Sequence, residues 1–242
     1  MRMLIFSRRC AKEILRDPLN LAFGIGFPLV LLFLLSAIQS SVPVPLFEIE
    51  SLAPGIAVFG LSFLTLFTAT LVARDRESLF VDRLYTTPLT ACDFLFGYML
   101  PIVPIALGQS TLTYLASMLI GLDASPSIIL AILATLPASL IYVALGLLFG
   151  SILNVKQVGG ICGALLTNLA AWLSGVWFDV SLVGGVFEKI ANLLPFIHAV
   201  NLGRAIISGS TDVFVSLLIL LGYGVAIMSA AIILFFRQMK KR

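Results

Sequence analysis

Charge is scarce in this chain. Only 11% of its 242 residues are Asp, Glu, Lys or Arg, against roughly 25% in an average soluble domain. So few charges cannot cover the surface of a water-soluble domain of this length. Histidine occurs once, as His198, and a lone histidine lacks the convergent partners that a metal or catalytic site needs. The three cysteines, Cys10, Cys92 and Cys162, lie far apart. No pair has metal-ligand spacing, and an odd count argues against a disulfide framework. They read as small apolar residues. No Lys is followed by Ser or Thr, so a phosphate-binding loop of the GxxxxGK[ST] type is missing. The chain cannot hydrolyse ATP by that route. GxSxG and HExxH are also missing, which argues against an enzyme. No cleavable leader is expected, because the first apolar block begins after 17 polar or amphipathic residues and is longer than a signal core.

What the chain has is apolar length. It is 60% hydrophobic with a mean hydropathy of +1.11. Crossing the hydrocarbon takes about 20 apolar residues. Six blocks qualify: Leu19–Ile38, Leu52–Ala73, Phe94–Ile120, Ser127–Leu153, Val158–Trp177 and Val213–Phe236. The expected fold is one all-α integral membrane domain over residues 1–242 with six transmembrane helices. Asp17-Pro18 and Ser125-Pro126 each place a cap acceptor before a first-turn proline. Thr90 and Asp93 resemble a capping box before the third block. Pro101 and Pro104 predict a kink within it. As bounded, no block contains Asp, Glu, Lys, Arg or His. That disfavours a proton pump or antiporter, which keeps such groups in the membrane. A sodium site built from backbone carbonyls would escape the test.

Lys and Arg fix the orientation. Arg2, Arg8, Arg9, Lys12, Arg16, Arg74, Arg76, Arg83, Lys156, Arg237, Lys240, Lys241 and Arg242 fall on one side. Only Lys189 and Arg204 fall on the other. Both termini are therefore expected in the cytoplasm. The basic side attracts anionic headgroups of membrane lipid. It does not read as a nucleic-acid site, because its cations sit at helix ends within reach of the bilayer. Residues 1–17 carry Leu4, Ile5, Cys10, Ala11, Ile14 and Leu15 at helical spacing, with Arg8, Arg9, Lys12, Glu13 and Arg16 largely opposite. This is the pattern of a helix lying in the membrane interface; the alternative is a fraying tail. Residues 178–212 lie outside by topology, yet contain apolar runs over Val186–Leu194 and Ile197–Ile207, split by Pro195. Each run is too short to span. The region reads as outer re-entrant helices, or as a packed cap without membrane contact.

Neutral polar groups remain inside the blocks. Phe59, Phe63 and Phe67 form one stripe in the second, beside Thr65, Thr68 and Thr70. Gln109, Ser110, Thr111 and Thr113 lie in the third, and Thr167 and Asn168 in the fifth. Such groups either join helices or line a polar path. Gly159 and Gly163 form a G-x-x-x-G that suggests a close helix contact. The loop at 74–93 is the most specific segment. Leu79, Phe80, Leu84 and Tyr85 can form an apolar knob ringed by Asp75, Arg76, Glu77, Asp82 and Arg83, with Pro88 as its stop. An amphipathic plug of this kind suits the groove of a soluble partner; it can also pack on its own helix ends or lie on the bilayer.

With its continuation, this loop resembles the ATP-binding-cassette type-2 permeases. The matching residues are Glu77, Leu84, Thr87-Pro88-Leu89-Thr90, Phe94 and Gly97, and later Leu194-Pro195, Arg204 and Gly209. The resemblance implies a permease subunit of an ABC exporter with no ATPase site of its own. Two permease chains, identical or related, would join two separate ABC ATPase subunits, which would hold the ATP and Mg. Glu77, Leu79, Phe80, Asp82, Arg83 and Leu84 would form the ATPase-coupling helix. A substrate path between spans two and five would involve Phe59, Phe63, Phe67, Thr70 and Asn168. The membrane expected is a bacterial cytoplasmic membrane, and the cargo a drug-like, lipidic or glycan molecule. A passive channel or ion-coupled carrier working without an ATPase is the alternative, as is a non-transporting membrane scaffold.

Overall fold

The computed structural model describes residues 2–41, 47–78, 91–210 and 213–240. It is 89% helical, with no strand among the described residues. Any crossing of lipid there is made by helices, which satisfy their own backbone groups. In chain order the helices are α1 (Arg2–Leu15), α2 (Pro18–Leu21), α3 (Phe27–Ser41), α4 (Ile49–Glu77), α5 (Ala91–Met99), α6 (Ile102–Ile120) and α7 (Ser127–Ile152). Then come α8 (Val155–Val158), α9 (Thr167–Leu173), α10 (Val180–Val183), α11 (Gly185–Leu193), α12 (Pro195–Ser208) and α13 (Val213–Lys240). A π-helical segment, Ala22–Gly26, joins α2 to α3, and another, Gly159–Leu166, joins α8 to α9.

Among the described residues, five helices are long and apolar enough to cross a membrane: Ala22–Ser41, Ile49–Glu77, Asp93–Ile120, Ser127–Ile152 and Val213–Leu234. The pair α11–α12 makes a sixth if its bend of 75° is counted within one span. The fifth block expected from sequence differs in detail. Its helix runs from Val155 to Leu173 and stops short of Trp177, where Gly175 takes a left-handed turn at φ 69°. Lys156, Gln157 and Asn168 keep this segment below the apolarity of the other five.

Helix α4 is the axis of the bundle. The apolar stretch of α4 is 89% buried, against 22% for the first span and 11% for α13 at the rim. It packs on α7, α6, α12, α3 and the segment that follows α8. Lipid is as apolar as the side chains, so close approach of small residues and interhelical hydrogen bonds must hold such helices together. The α4–α7 seam shows both. A methyl added at Gly150 would meet the Ala69 carbonyl oxygen at 2.7 Å, and one at Gly146 the Thr65 carbonyl oxygen at 2.8 Å. Thr65 Oγ1 donates to the Tyr142 carbonyl at 2.9 Å. The Gly159–Gly163 pair is split: a methyl added at Gly163 would meet Leu66 of α4 at 3.3 Å, while one at Gly159 would meet no other element within 4 Å. Between α6 and its neighbours, Ser110 donates to Thr135 at 3.2 Å, and Gln109 Nε2 donates weakly to the Ala57 carbonyl at 3.4 Å.

The break between α11 and α12 follows from Pro195. Leu194 before it is extended (φ −86°, ψ 153°), as steric clash with the proline ring requires. Carbonyls freed at the break find donors. Tyr223 Oη of α13 donates to the Leu193 carbonyl at 2.5 Å, and His198 Nε2 lies 2.9 Å from the Asn192 carbonyl. The single histidine thus braces a bend. At the start of α2, Asp17 Oδ1 accepts from Asn20 N at 3.2 Å, the cap that Asp17-Pro18 predicts. The box expected at Thr90 lies outside the described residues. A box unread in the sequence joins Asn154 and Gln157 at the start of α8.

Candidate functional site at the charged end of the bundle

Helix α4 extends a full turn past the block read from sequence, carrying Arg74, Asp75, Arg76 and Glu77 out of the apolar core. Basic residues suit the negative end of the helix dipole. Each of these four residues bonds to a different part of the chain. Arg74 reaches Asp17, ahead of α2, at 3.4 Å. Asp75 Oδ1 accepts from Arg9 Nη2 of α1 at 2.5 Å, and its Oδ2 accepts from Arg9 Nη1. Oδ2 also accepts from Tyr98 Oη of α5 at 2.8 Å. Arg76 donates to the Leu153 carbonyl at 2.5 Å and to the Ser151 carbonyl at the end of α7. These are carbonyls that a helix end leaves unpaired. Glu77 Oε1 accepts from Val155 N, the first amide of α8, at 2.9 Å, where the positive end of a helix favours an anion.

Asp75 is the centre of this clamp. It is 1% exposed, and Tyr98 is fully buried. Phe6 of α1 meets Tyr98 edge to face at 4.9 Å and Phe94 at 5.5 Å. The apolar face of α1 is thereby seated on α5. Arg9 also pairs with Glu13 at 2.7 Å. Burial works against the Arg9 charge, but the hydrogen bonds and charge of Asp75 outweigh it and hold the guanidinium above its ordinary value. Burial raises the Glu13 carboxyl, although Arg9 pulls the other way. Burial likewise pushes the Cys10 thiol up to about 12.

Of the coupling residues expected from sequence, Glu77 is in place as the anchor of α8. Leu79, Phe80, Asp82, Arg83 and Leu84 lie outside the described residues. The path residues are brought together only in part. Phe59 and Phe63 stand 5.7 Å apart, and Phe27 of α3 covers both at 6.1 Å. Trp177 closes on Phe59 at 5.5 Å. Phe67 is 2% exposed beneath Gly24. Thr70 sits in a crevice beside Glu13, Asp17 and Asn20. Asn168 is on the exposed side of its helix and donates to the Ala164 carbonyl at 2.7 Å.

The opposite end of α4 is pinned as well. Arg204 of α12 donates through Nε to the Ser51 carbonyl at 3.2 Å and through Nη2 to the Gly175 carbonyl at 3.0 Å. Among the described residues, no group of three or more His, Cys, Asp and Glu side chains is placed to hold a metal ion. The arrangement suits mechanical linkage. Residues 75–77 tie the end of α4 to α1, α5, α7 and α8.

The chain has no match among curated proteins. A family model described as ABC-2 type transporter matches residues 2–208. That span includes the charged end of α4, the α4–α7 seam and the bent α11–α12 pair. The chain belongs to the ABC-2 type transporter family and is a multi-pass permease component of an ABC transporter.

Proposed function

We propose that this chain is the permease of an ATP-driven exporter and that the 74–77 clamp carries the ATPase stroke into the membrane. One observation supports this above the rest: four consecutive residues, at the base of the loop that the family resemblance assigns to ATPase docking, bond to Asp17 ahead of α2, to α1, to α5, to the end of α7 and to α8. Coupling by Glu77, Leu79, Phe80, Asp82, Arg83 and Leu84 would deliver force directly to that base. Both termini and this loop are proposed on the cytoplasmic face of a bacterial inner membrane, following the excess of Lys and Arg there.

Two copies of the chain are proposed to form the conduit. The exposed side of the α8–α9 segment, with Leu165, Asn168, Leu169 and Trp172, suits a second chain. Phe59, Phe63, Phe67 and Thr70 join the path when α3, which carries Phe27, moves aside. The cargo class that fits an apolar and neutral lining is an amphiphile: drug-like, lipidic or glycan-linked.

The test is to reconstitute the chain with its cognate ATPase and measure nucleotide-driven flux. Asp75→Asn and Glu77→Gln should leave the complex assembled while reducing transport per ATP hydrolysed several-fold. Unchanged coupling in both variants would overturn the role of the clamp. Flux from the permease alone, without nucleotide, would overturn the exporter reading.

A further inference from the structure

The clamp uses one face of α1 and leaves the other open. Phe6, Ser7, Cys10 and Ile14 are buried against the bundle. Arg8, Lys12 and Arg16 are exposed. At i, i+4 and i+8 they stand in one row along the helix, and the row continues past Leu15 because Arg16 N still bonds to the Lys12 carbonyl. Among the described residues no carboxylate pairs with any of the three. They line a shallow groove of about 610 Å³ together with Ile5, Arg9 and Glu13. Glu13 is already matched by Arg9, so the groove is strongly positive.

Two more observations select the occupant. The sequence expectation set Leu4, Ile5 and Leu15 opposite the cations, but only Cys10 and Ile14 of that apolar set are buried; Leu4, Ile5 and Leu15 are 56%, 72% and 61% exposed, on the same side as the cations. Apolar side chains interleaved with Lys and Arg are the pattern of a helix that rests on a lipid surface, with its cations at the phosphates. Connectivity also holds the helix there: α1 ends at Leu15, and the helix that leads into the first span begins at Pro18. The row therefore cannot stand far from the edge of the hydrocarbon.

We infer that the Arg8–Lys12–Arg16 face of α1 is a binding site for the phosphate headgroups of anionic phospholipids. The site seats the basic end of α1 on the bilayer while the opposite face is tied to Asp75. Nothing in this inference depends on transport.

The test uses the full chain in lipid discs of mixed phosphatidylcholine and phosphatidylglycerol, with the lipids retained after mild extraction counted by mass spectrometry. The wild-type chain should retain phosphatidylglycerol in excess of its share. Near an anionic surface each cation contributes roughly fivefold, so the excess should disappear in the Arg8→Gln/Lys12→Gln/Arg16→Gln variant and fall partway in each single variant. Lys189→Gln, at the other end of the molecule, should change nothing. An undiminished excess in the triple variant and in all three single variants overturns the site. Stripping of the bound lipid from the wild type by millimolar inorganic phosphate would make this a site for free anions, and overturns the lipid reading. Retained lipid with lost ATPase association would make it a protein-docking face, and overturns it too.

Discussion

Asp75 is a buried carboxylate held by one guanidinium and one phenol. Removing its charge leaves Arg9 paired with Glu13 among the described residues, and its side chain, 34% exposed, keeps part of its hydration. Breaking a fully buried pair costs about 3–5 kcal/mol, and screening reduces that here to about 1–3 kcal/mol. Asp75→Asn should lower the melting temperature of the purified protein accordingly. Tyr98→Phe should cost about 1 kcal/mol, the value of one buried hydrogen bond. The Arg9→Gln/Asp75→Asn double variant should recover part of the loss, because both members of one pair are then neutral. Cys10 reports on the same corner by pH. Its folded thiol titrates near 12 instead of 9, so the neutral thiol favours the folded state. That contribution is whole below pH 9 and is lost as pH rises toward 12. Little of this was legible in the sequence. Asp75 and Arg76 read there as the rim of a plug, since their partners lie 66 and 75–77 residues away. The available signal was a carboxylate one turn beyond an apolar block, with aromatic and basic residues in neighbouring segments.

Helices were easier to read than their neighbours. The long apolar blocks gave the spans because hydrophobic length is a local property, and Pro195 gave the bend because its ring restricts the residue before it. Partner choice was not local. The sequence offered Gly159 and Gly163 as a contact pair, while the α4–α7 seam brings α4 backbone against Gly146 and Gly150, at the same spacing in α7. What distinguishes them is α4 opposite, which presents Thr65, Thr68 and Ala69 to the second pair. Gly150→Ala should therefore force the α4 backbone away and cost about 1–3 kcal/mol as overpacking. Gly108→Ala, whose added methyl would meet no other element within 4 Å, should be neutral or slightly stabilising, as alanine favours a helix. Melting curves of the two variants compare them directly.

At the scale of the molecule, charge asymmetry makes a prediction that packing does not. Single cysteines at Asp123 and Arg237, in a background without the native three, should be labelled by an impermeant maleimide from opposite sides of the membrane, Arg237 from the cytoplasm. Labelling of both from one side would refute the orientation. The family was legible because its motifs are short and continuous in the chain. The cargo was not, because neutral side chains inside spans serve adhesion and passage equally well. The long reach of the Arg9–Asp75 pair also has a consequence for synthesis. Arg9 leaves the ribosome well before Asp75, and Tyr98 comes later still. Nascent chains arrested ahead of Asp75 should leave the first helix open to protease, and chains extended beyond Tyr98 should protect it. This corner of the protein thus closes only once its third crossing has begun.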